Sequence, residues 1–305
     1  MNFWNKLSKE DQTAAFWDHQ HWRELPADYW ASNPQVQAYI NRRTTGDPGL
    51  RWLDWFRQKY LPQTLERGLC LACGAGTAEI HAMSHQMFGE MDACDISEGS
   101  LQSAQAKAEF CGLSQKIRYF RCDLNQANLE TAHYDVILSS GGLHHIENLE
   151  HLFSQIKSGL KPGGLLAIDE YVGPARLQYT DRQLEIVRGI VEALPMELRT
   201  GRPVERADLK YMLDNDPSEA VRSPELISLL GQELEILEVR NYGGTLMNVL
   251  FGSGAIDTSR LLPTEFESAE TSGYADLLPL ILLLEEQLTE SGVLPGDYAV
   301  IIARH

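Results

Sequence analysis

The 305-residue sequence has no run of apolar residues long enough to cross a membrane, since a spanning helix needs about 20 of them in succession. Its longest apolar stretch, Leu277 to Leu284, is interrupted by Pro279 and followed by two acidic residues. The N-terminus also lacks the basic and then apolar segments of a signal peptide. These absences predict a cytoplasmic protein without membrane insertion.

Positive charge is scarce as well, because 26 Lys and Arg residues stand against 43 Asp and Glu residues, for a net charge of −17. A field of this sign repels phosphate backbones. The composition therefore argues against nucleic acid and anionic membrane surfaces as partners. It leaves open whether the chain forms a homodimer.

Cysteine is rare, with five residues and no secretion signal, which favours reduced thiols over disulfides. Cys70 and Cys73 have the spacing of a redox or metal motif, but no second pair completes a zinc site. Since free cysteine is often buried, we interpret most of the five as small core side chains.

Tryptophan is absent after residue 55, and all six tryptophans lie within residues 1–66. Segments 9–23, 34–43 and 48–60 read as short helices separated by proline and glycine. Residues 1–66 are therefore predicted to form a helical N-terminal cap. Either this cap packs on the core, or its aromatic side chains form a lid over a substrate pocket.

From residue 67 onward, strand and helix patterns alternate, which predicts a doubly wound, Rossmann-like α/β fold with a mostly parallel sheet. The predicted strands are 68–73, 90–95, 117–122, 134–140, 164–170, 234–241 and 297–303, and helices at 77–87, 98–111 and 148–159 separate the first five. Two helical insertions are predicted, at about 171–222 and 242–296, with helices at 180–194, 205–213 and 274–292.

The run Gly68-Leu-Cys-Leu-Ala-Cys-Gly-Ala-Gly-Thr77 is a short apolar strand that ends in glycines and opens a helix. Such a turn lets the backbone approach a ligand, and the helix start offers unpaired N–H groups. Asp95 ends the second strand, 19 residues beyond Gly76, where an acid can accept both ribose hydroxyls of a nucleoside. The alternative is that Asp95 caps the helix that follows.

Asp123 ends the third strand, where its carboxylate suits an adenine amino group and the N–H of Leu124 suits a ring nitrogen; otherwise it is an ordinary turn acid. Further on come Ser139-Ser-Gly-Gly-Leu-His144-His145 and Leu160-Lys-Pro-Gly-Gly164. With the glycine turn, Asp95 and Asp123, these motifs resemble the class I S-adenosylmethionine-dependent methyltransferases over roughly residues 66–172. The likeness implies a seven-stranded sheet in which strand 297–303 runs antiparallel between the fifth strand and 234–241.

The resemblance also implies a cofactor, S-adenosylmethionine, with S-adenosylhomocysteine as product. The cofactor-binding residues that it implies are Ala72, Gly74 and Gly76 for the methionine part, Asp95 and Ile96 for ribose, Asp123 and Leu124 for adenine, and Ser139 and Ser140 beside the sulfonium. The family commonly has an acid where Cys70 stands and a glycine where Ala72 stands. Either binding is weaker here or another carboxylate replaces the acid; the Ala72 methyl is tolerable if its backbone angles are ordinary.

His145 and His144 are the candidate catalytic bases, because an imidazole titrates near neutrality. The alternative is a structural pair. Acceptor contacts are predicted in the loops that leave the fifth and sixth strands, although these residues also suit a network that anchors the loops. The substrate-binding candidates are Glu170, Tyr171, Arg176, Gln178 and Tyr242. No metal site is predicted, since adjacent histidine side chains are expected to diverge.

These interpretations predict a methyltransferase in residues 67–305 that acts on a small or medium-sized acceptor, such as a natural-product intermediate, a sugar or a lipid-like compound, most readily at oxygen. One alternative is an NAD-dependent oxidoreductase, although the turn lacks the third glycine of that motif. Another is a cofactor-binding partner protein without turnover.

Overall fold

Seven strands form one sheet in the computed structural model, which describes residues 9–20, 30–261, 274 and 276–305. The strands are β1 (Leu65–Leu71), β2 (Phe88–Asp95), β3 (Ile117–Arg121), β4 (Tyr134–Ser140), β5 (Leu160–Tyr171), β6 (Glu235–Gly243) and β7 (Tyr298–Arg304). Their order is β3-β2-β1-β4-β5-β7-β6, and β7 runs antiparallel to both β5 and β6. The predicted seven-stranded, mostly parallel sheet with an antiparallel last strand is confirmed.

Helices connect the strands and cover the sheet. They are α1 (Lys9–Gln20), α2 (Pro34–Thr45), α3 (Trp52–Tyr60), α4 (Ala78–Ser84), α5 (Glu98–Phe110), α6 (Leu149–Gly159), α7 (Asp181–Ala193), α8 (Leu209–Asn215), α9 (Leu226–Glu233), α10 (Thr245–Gly252) and α11 (Leu277–Glu290). None of the helices in the described part of the chain is long and apolar enough to cross a membrane.

Central strand β1 is buried on both faces, as expected for a parallel strand between helical layers. Leu69 and Leu71 pack into the core on one side of the sheet, whereas Cys70 packs into the core on the other side, with Ala78 and Met83 of α4. This alternation follows from the two-residue period of a strand. It places the Cys70 thiol on the α4 side of the sheet.

Strand β5 begins four residues earlier than the sequence predicts, because the proline–glycine turn at 161–164 is part of the strand. The turn causes a shift of register in the pairing of β5 with β4. Tyr134 pairs with Leu160, whereas Val136 pairs with Leu165. Gly163 supplies the left-handed backbone conformation, with φ of 79°, that the extra residues require.

Two helices, α9 and α10, are absent from the sequence prediction. Helix α10 begins directly after Gly244, which has a φ of 79°. Because Gly244 has no side chain, it cannot cap the helix. Its first N–H groups instead donate to the fully buried carboxylate of Glu285 on α11, from Thr245 at 2.9 Å and Leu246 at 2.7 Å. A negative charge at a helix N-terminus is favourable, so Glu285 joins the two elements of the second insertion.

Replacing Glu285 with alanine should lower the free energy of unfolding by about 2–3 kcal/mol, because buried helix N–H groups would lose their acceptor. Chemical denaturation measures this loss. The matched control is Glu286→Ala, which removes an ion pair with Arg42 and Arg43 nearer the surface and should cost about 1 kcal/mol or less. Equal losses in the two variants would contradict the capping role.

The predicted N-terminal cap is only partly covered by the described residues. Helices at 34–43 and 48–60 are confirmed as α2 and α3, and α1 accounts for most of the segment predicted at 9–23. Trp4 and Trp22 lie outside the described residues, so their place in the cap stays a prediction. In the first predicted insertion, the helix predicted at 205–213 begins later, at Leu209, where Asp208 caps it.

Candidate functional site

A cavity of about 610 Å³ lies at the carboxyl ends of the parallel strands, within the size range of small-molecule sites. Neighbouring strands in a sheet are roughly 4.8 Å apart. The order β3-β2-β1-β4 therefore places Asp123, Asp95, the glycine turn after β1 and Ser140 in one row along the cavity. This row is the arrangement that the spacing of the motifs predicts.

The turn after β1 is more strained than the sequence suggests. Ala72 has a φ of 47°, so the condition of ordinary backbone angles, under which its methyl group would be tolerated without cost, is not met; the left-handed region costs a residue with a side chain roughly 1–2 kcal/mol. Gly74 shares this conformation, with φ of 53°. A methyl group on Gly142 would lie 2.4 Å from the Ala72 Cβ, so the loop after β4 needs a glycine here to pass Ala72.

Asp95 holds the glycine turn and the start of α5 together. One carboxylate oxygen accepts the N–H of Gly74 at 2.8 Å, and the other accepts the N–H of Ser97 at 2.9 Å. Burial raises the pKa of Asp95, although these N–H groups oppose the shift. Because Asp95 also lines the cavity, its oxygens can accept further hydrogen bonds from a ligand. Helix α5 is capped by Ser97 itself, which accepts from Ser100 N.

Asp123 closes a tight turn after β3. Its Oδ1 accepts the backbone N–H of Asn125 at 2.9 Å, and its Oδ2 accepts the side-chain amide of Gln126 at 3.0 Å. Asp123 and Leu124 both line the cavity. The turn role and a ligand role are compatible, since a carboxylate has about four acceptor positions.

The other predicted cofactor-binding residues divide into two groups. Ile96 and Ser140 line the cavity, whereas Gly76 and Ser139 do not. Gly76 instead allows close packing, because a methyl group on it would lie 2.9 Å from Ala104. Ser139 is fully buried, and its hydroxyl has no hydrogen-bond partner among the described residues. A direct contact of Gly76 and Ser139 with the cofactor stays a prediction, because neither residue lines the cavity.

His144 is fixed by Glu170, a fully buried residue of β5. The Glu170 carboxylate accepts the N–H groups of Gly142 at 2.7 Å and Leu143 at 2.6 Å, and it contacts His144 Nδ1 at 2.8 Å. Burial alone would lower the pKa of His144, but the hydrogen bond and charge of Glu170 raise it overall. Glu170 thus fixes the loop after β4 and favours the protonated form of His144.

His145 is placed differently, because it lines the cavity. Its Nδ1 contacts Ser218 Oγ at 3.1 Å, and that hydroxyl donates to Asp216 Oδ1 at 2.6 Å. Since the hydroxyl proton goes to Asp216, Ser218 accepts from Nδ1–H, and the network assigns an unprotonated Nε2. Burial and the charge of His144 lower the pKa of His145. A neutral imidazole with a free Nε2 can take up a proton at neutral pH.

The imidazole rings of His144 and His145 lie close together, so the prediction that these adjacent side chains diverge is wrong. Their ring centroids are 4.2 Å apart, and their Nε2 atoms lie 3.8 and 3.9 Å from the carboxylate of Glu219. Two histidines and a carboxylate are metal-ligand types. The raised pKa of His144 beside Glu170 favours its protonated form, which does not ligate a metal, so an ion pair competes with metal binding at this cluster.

None of the five predicted acceptor contacts lines the cavity. Arg176 Nη1 donates to the carbonyl of Pro217 at 2.6 Å, and Gln178 Nε2 donates to that of Ala207 at 3.0 Å. Tyr171 donates to the carbonyl of Pro174, and Tyr242 donates to Asp169. With Glu170 beside His144, these contacts favour the alternative of a network that anchors the loops. A direct role in acceptor binding stays an untested prediction for all five.

Two segments outside residues 66–172, where the recognised motifs lie, also line the cavity. The first is α1, which contributes Thr13 and Trp17; the Trp17 ring meets His145 edge to face, with centroids 5.2 Å apart. The second is the 216–221 loop of the first insertion, which contributes Pro217, Ser218 and Val221. The sequence indicates only that insertion 171–222 leaves the correct edge of the sheet.

Asp18 attaches α1 to the rim of the cavity. Its Oδ1 accepts the hydroxyl of Ser97 at 2.7 Å and the N–H of Gly99 at 3.0 Å, both at the start of α5. Helix α1 therefore lies across the side of the cavity that Asp95 lines. This placement supports the lid interpretation for the part of the N-terminal segment that the structure describes.

The sheet order and the acidic strand ends define an α/β domain of the class I methyltransferase type. Residues 69–164 match the model of a family described as a methyltransferase domain. Over residues 69–164 the chain is therefore similar to class I S-adenosylmethionine-dependent methyltransferases. A demethylmenaquinone methyltransferase of Bacteroides fragilis is 31% identical over 127 residues, which are 42% of this chain and 49% of that protein.

An uncharacterised protein of Synechococcus sp. is 28% identical over 130 residues, which are 42% of this chain and 30% of that protein. The chain thus spans half or less of the length of these two relatives. In both cases the likeness is limited to part of this chain.

Solved structures extend the likeness of fold to nearly the whole chain. Phosphoethanolamine N-methyltransferase 2 of Haemonchus contortus has a TM-score of 0.52 at 17% identity and covers 95% of this chain and 59% of that one. Geranyl diphosphate C-methyltransferase of Streptomyces coelicolor has a TM-score of 0.52 at 11% identity, covering 98% and 97%. At these identities the comparison concerns fold alone.

Proposed function

We propose that this protein is a methyltransferase that transfers the methyl group of S-adenosylmethionine to a small or medium-sized acceptor. The observation that carries the proposal is the row of strand ends along one cavity, with Asp123, Asp95 and the glycine turn in successive positions. Two acidic groups and a close backbone approach suit adenine, ribose and the methionine part in that order.

The residues present fit this cofactor. Asp95 would hold the ribose hydroxyls and Asp123 with Leu124 the adenine, while Ala72 and Gly74 would contact the methionine part along the turn. The loop from Ser140 to His145 would lie beside the sulfonium. The cofactor supplies an activated methyl group; the protein's task is to align it with the acceptor, and such alignment contributes about 7–11 kcal/mol in favourable cases.

The site favours transfer of the methyl group to an oxygen atom of the acceptor. His145 lines the cavity, its Nδ1 is engaged with Ser218, and its Nε2 lies 3.9 Å from the Glu219 carboxylate, beyond hydrogen-bond distance. We assign His145 the removal of the acceptor's proton, which typically contributes 10²–10⁴-fold. His144 does not line the cavity and acts as a positioning residue, since Glu170 holds both it and the loop.

The acceptor is expected to be a small molecule held between α1 and the 216–221 loop. Apolar groups from Trp17, Pro217 and Val221 face polar groups from Ser218 and His145 in that part of the cavity. This mixture suits a natural-product intermediate, a sugar or a lipid-like compound with one hydroxyl near the sulfonium. The names of the relatives refer to a quinone, an isoprenoid diphosphate and phosphoethanolamine, which are all small acceptors; the last two names specify methylation at carbon and at nitrogen.

Methyl transfer is tested by incubating the protein with S-adenosylmethionine that carries a deuterated methyl group and with panels of phenols, quinols, sugars and isoprenoid alcohols. Mass spectrometry should detect S-adenosylhomocysteine and one labelled product in equal amounts. A protein that does not bind S-adenosylmethionine, or one that transfers hydride from the sugars or isoprenoid alcohols to NAD, would contradict the proposal.

Trp17→Ala tests the lid. Removing this ring should raise the dissociation constant of S-adenosylhomocysteine about tenfold, as expected when a buried aromatic contact is truncated, chiefly through faster dissociation. Stopped-flow fluorescence or surface plasmon resonance measures both quantities. Trp52→Ala removes the same side chain from α3, outside the cavity, and should leave binding unchanged. Equal effects of the two variants would exclude a lid role for Trp17.

A further inference from the structure

Glu79, in the first turn of α4, is a fully buried carboxylate. Its Oε1 accepts the hydroxyl of Tyr119 on β3 at 3.0 Å. Its Oε2 is buried and has no hydrogen-bond partner among the residues that the structure describes. A buried ionisable group is costly unless it is paired, so an unpartnered oxygen at this position calls for a ligand.

The surroundings of Glu79 are acidic or neutral. The titratable groups near it are the thiols of Cys70 and Cys73 from β1 and its turn, the phenol of Tyr119 from β3, and the carboxylate of Asp95 from β2. No cation is among these groups. Burial raises the pKa of Glu79 to about 7, and the hydrogen bond from Tyr119 opposes the shift.

Glu79 lies behind the part of the cavity wall that Cys70 and Ala78 form. Cys70 and Ala78 line the cavity, and Cys70 lies beside the Glu79 carboxylate. In the row of strand ends, Cys70 belongs to β1, the strand next to the one that ends in Asp95. If ribose lies at Asp95, the amino-acid part of the cofactor lies at β1, next to the thiol that covers Glu79.

We propose that Glu79 supplies the negative charge that holds the ammonium group of the cofactor's methionine part, in place of an acid at position 70. The inference rests on the proposed function, since it needs an adenosyl ligand at Asp95. Because Cys70 lines the cavity and Glu79 does not, the Glu79 carboxylate would act on the ammonium group from behind the small Cys70 side chain, through one water molecule. Such charge-assisted hydrogen bonds are about twice as strong as neutral ones.

The test compares two probes that differ in the amino-acid part. S-adenosylhomocysteine has the ammonium group, whereas methylthioadenosine has the adenosyl and thioether groups alone. Calorimetric titration of the full chain with each probe should show that Glu79→Gln weakens S-adenosylhomocysteine binding about tenfold, the lower end for losing a hydrogen bond to a charged group, and leaves methylthioadenosine binding unchanged. Glu98→Gln, the control, removes the same charge from an exposed residue of α5 and should change neither.

The outcomes separate this inference from the proposed function. If the unmodified protein binds neither probe, the proposed function fails. If it binds both and Glu79→Gln retains its full preference for S-adenosylhomocysteine, only the inference about Glu79 fails. An equal loss of both probes would also overturn the inference, because it would indicate a general distortion of the turn.

Melting temperature distinguishes a binding role from a structural one. Without ligand, Glu79→Gln should melt at the same or a higher temperature than the unmodified protein at pH 8, because glutamine is not ionised and the cost of burying a charge is removed. With saturating S-adenosylhomocysteine, the rise in melting temperature should be smaller in the variant. A lower melting temperature without ligand would mean that Glu79 braces the fold, which would overturn the inference.

The pH dependence gives a further readout. Because the pKa of Glu79 is raised to about 7, the carboxylate is ionised above that pH and gains a proton below it. The preference for S-adenosylhomocysteine over methylthioadenosine should therefore fall as the pH is lowered from 8 to 6 in the unmodified protein. It should stay constant in Glu79→Gln; a parallel fall in the variant would contradict the inference.

Discussion

Asp95→Ala should weaken the binding of S-adenosylhomocysteine about 100-fold. The carboxylate is expected to accept the ribose hydroxyls, and hydrogen bonds to a charged group contribute about 1.5–3 kcal/mol. It also accepts the N–H groups of Gly74 and Ser97, so its loss frees the turn that contacts the methionine part. Both effects reduce affinity, and calorimetric titration measures their sum.

Asp95→Asn separates the two contributions. Asparagine keeps one acceptor oxygen for the backbone N–H of Gly74 or Ser97, but it lacks the charge that strengthens the ribose contacts. Its affinity should lie between those of the unmodified protein and Asp95→Ala. Affinity within a factor of three of the unmodified protein in Asp95→Ala would refute the ribose assignment, and Asp95 would then be a residue that only connects the glycine turn to Ser97 at the start of α5.

His145→Asn should lower kcat about 10²- to 10³-fold with an oxygen acceptor identified by the labelling screen, and it should leave the affinity for S-adenosylhomocysteine nearly unchanged. Asparagine can keep the contact with Ser218 but offers no base. Steady-state kinetics and calorimetry measure the two quantities. The magnitude follows from the usual contribution of a general base.

The pH profile gives the sign of the His145 effect. Burial and the charge of His144 lower the pKa of His145, so this base is free at neutral pH and becomes protonated only in acid. The rate of the unmodified protein should therefore fall on acidification, and the rate of His145→Asn should lack this fall. His151→Asn is the control, because His151 bonds to the carbonyl of Ala127 and does not line the cavity. A kcat in His145→Asn close to that of the control would exclude the base role.

Local signals predict most of the fold. Short apolar runs mark β1 to β4 because a buried parallel strand needs consecutive apolar residues. Asp95 and Asp123 are found because they follow such runs directly, and the ends of neighbouring strands lie side by side. The order of the sheet comes from the resemblance to a family and not from the pattern itself.

Features that depend on distant residues could not be read from the sequence. Helix α10 begins after a glycine in a left-handed conformation, and its cap is Glu285, which comes about forty residues later in the chain. The strain at Ala72 depends on the path of the turn rather than on residue type. His145 acquires its tautomer from Ser218, which belongs to an insertion with no recognised motif.

The role of Glu79 is only partly visible in the sequence. Its place in the first turn of α4, three residues beyond Gly76, is visible in the sequence, as is the missing acid at Cys70. Their relation is not visible, because it depends on the side of β1 that Cys70 faces and on the burial of α4 against the sheet. The family commonly has an acid at the position of Cys70. In the structure, the carboxylate of Glu79 lies beside the Cys70 side chain.

The central claim is that the strand ends at Gly74, Asp95 and Asp123 together hold an adenosyl cofactor. It is tested most directly by calorimetric titration of the full chain with S-adenosylhomocysteine and, separately, with NAD. We expect one S-adenosylhomocysteine per chain, competed by S-adenosylmethionine, and no binding of NAD at the same concentrations. Preferential binding of NAD, or binding of neither compound, would contradict it.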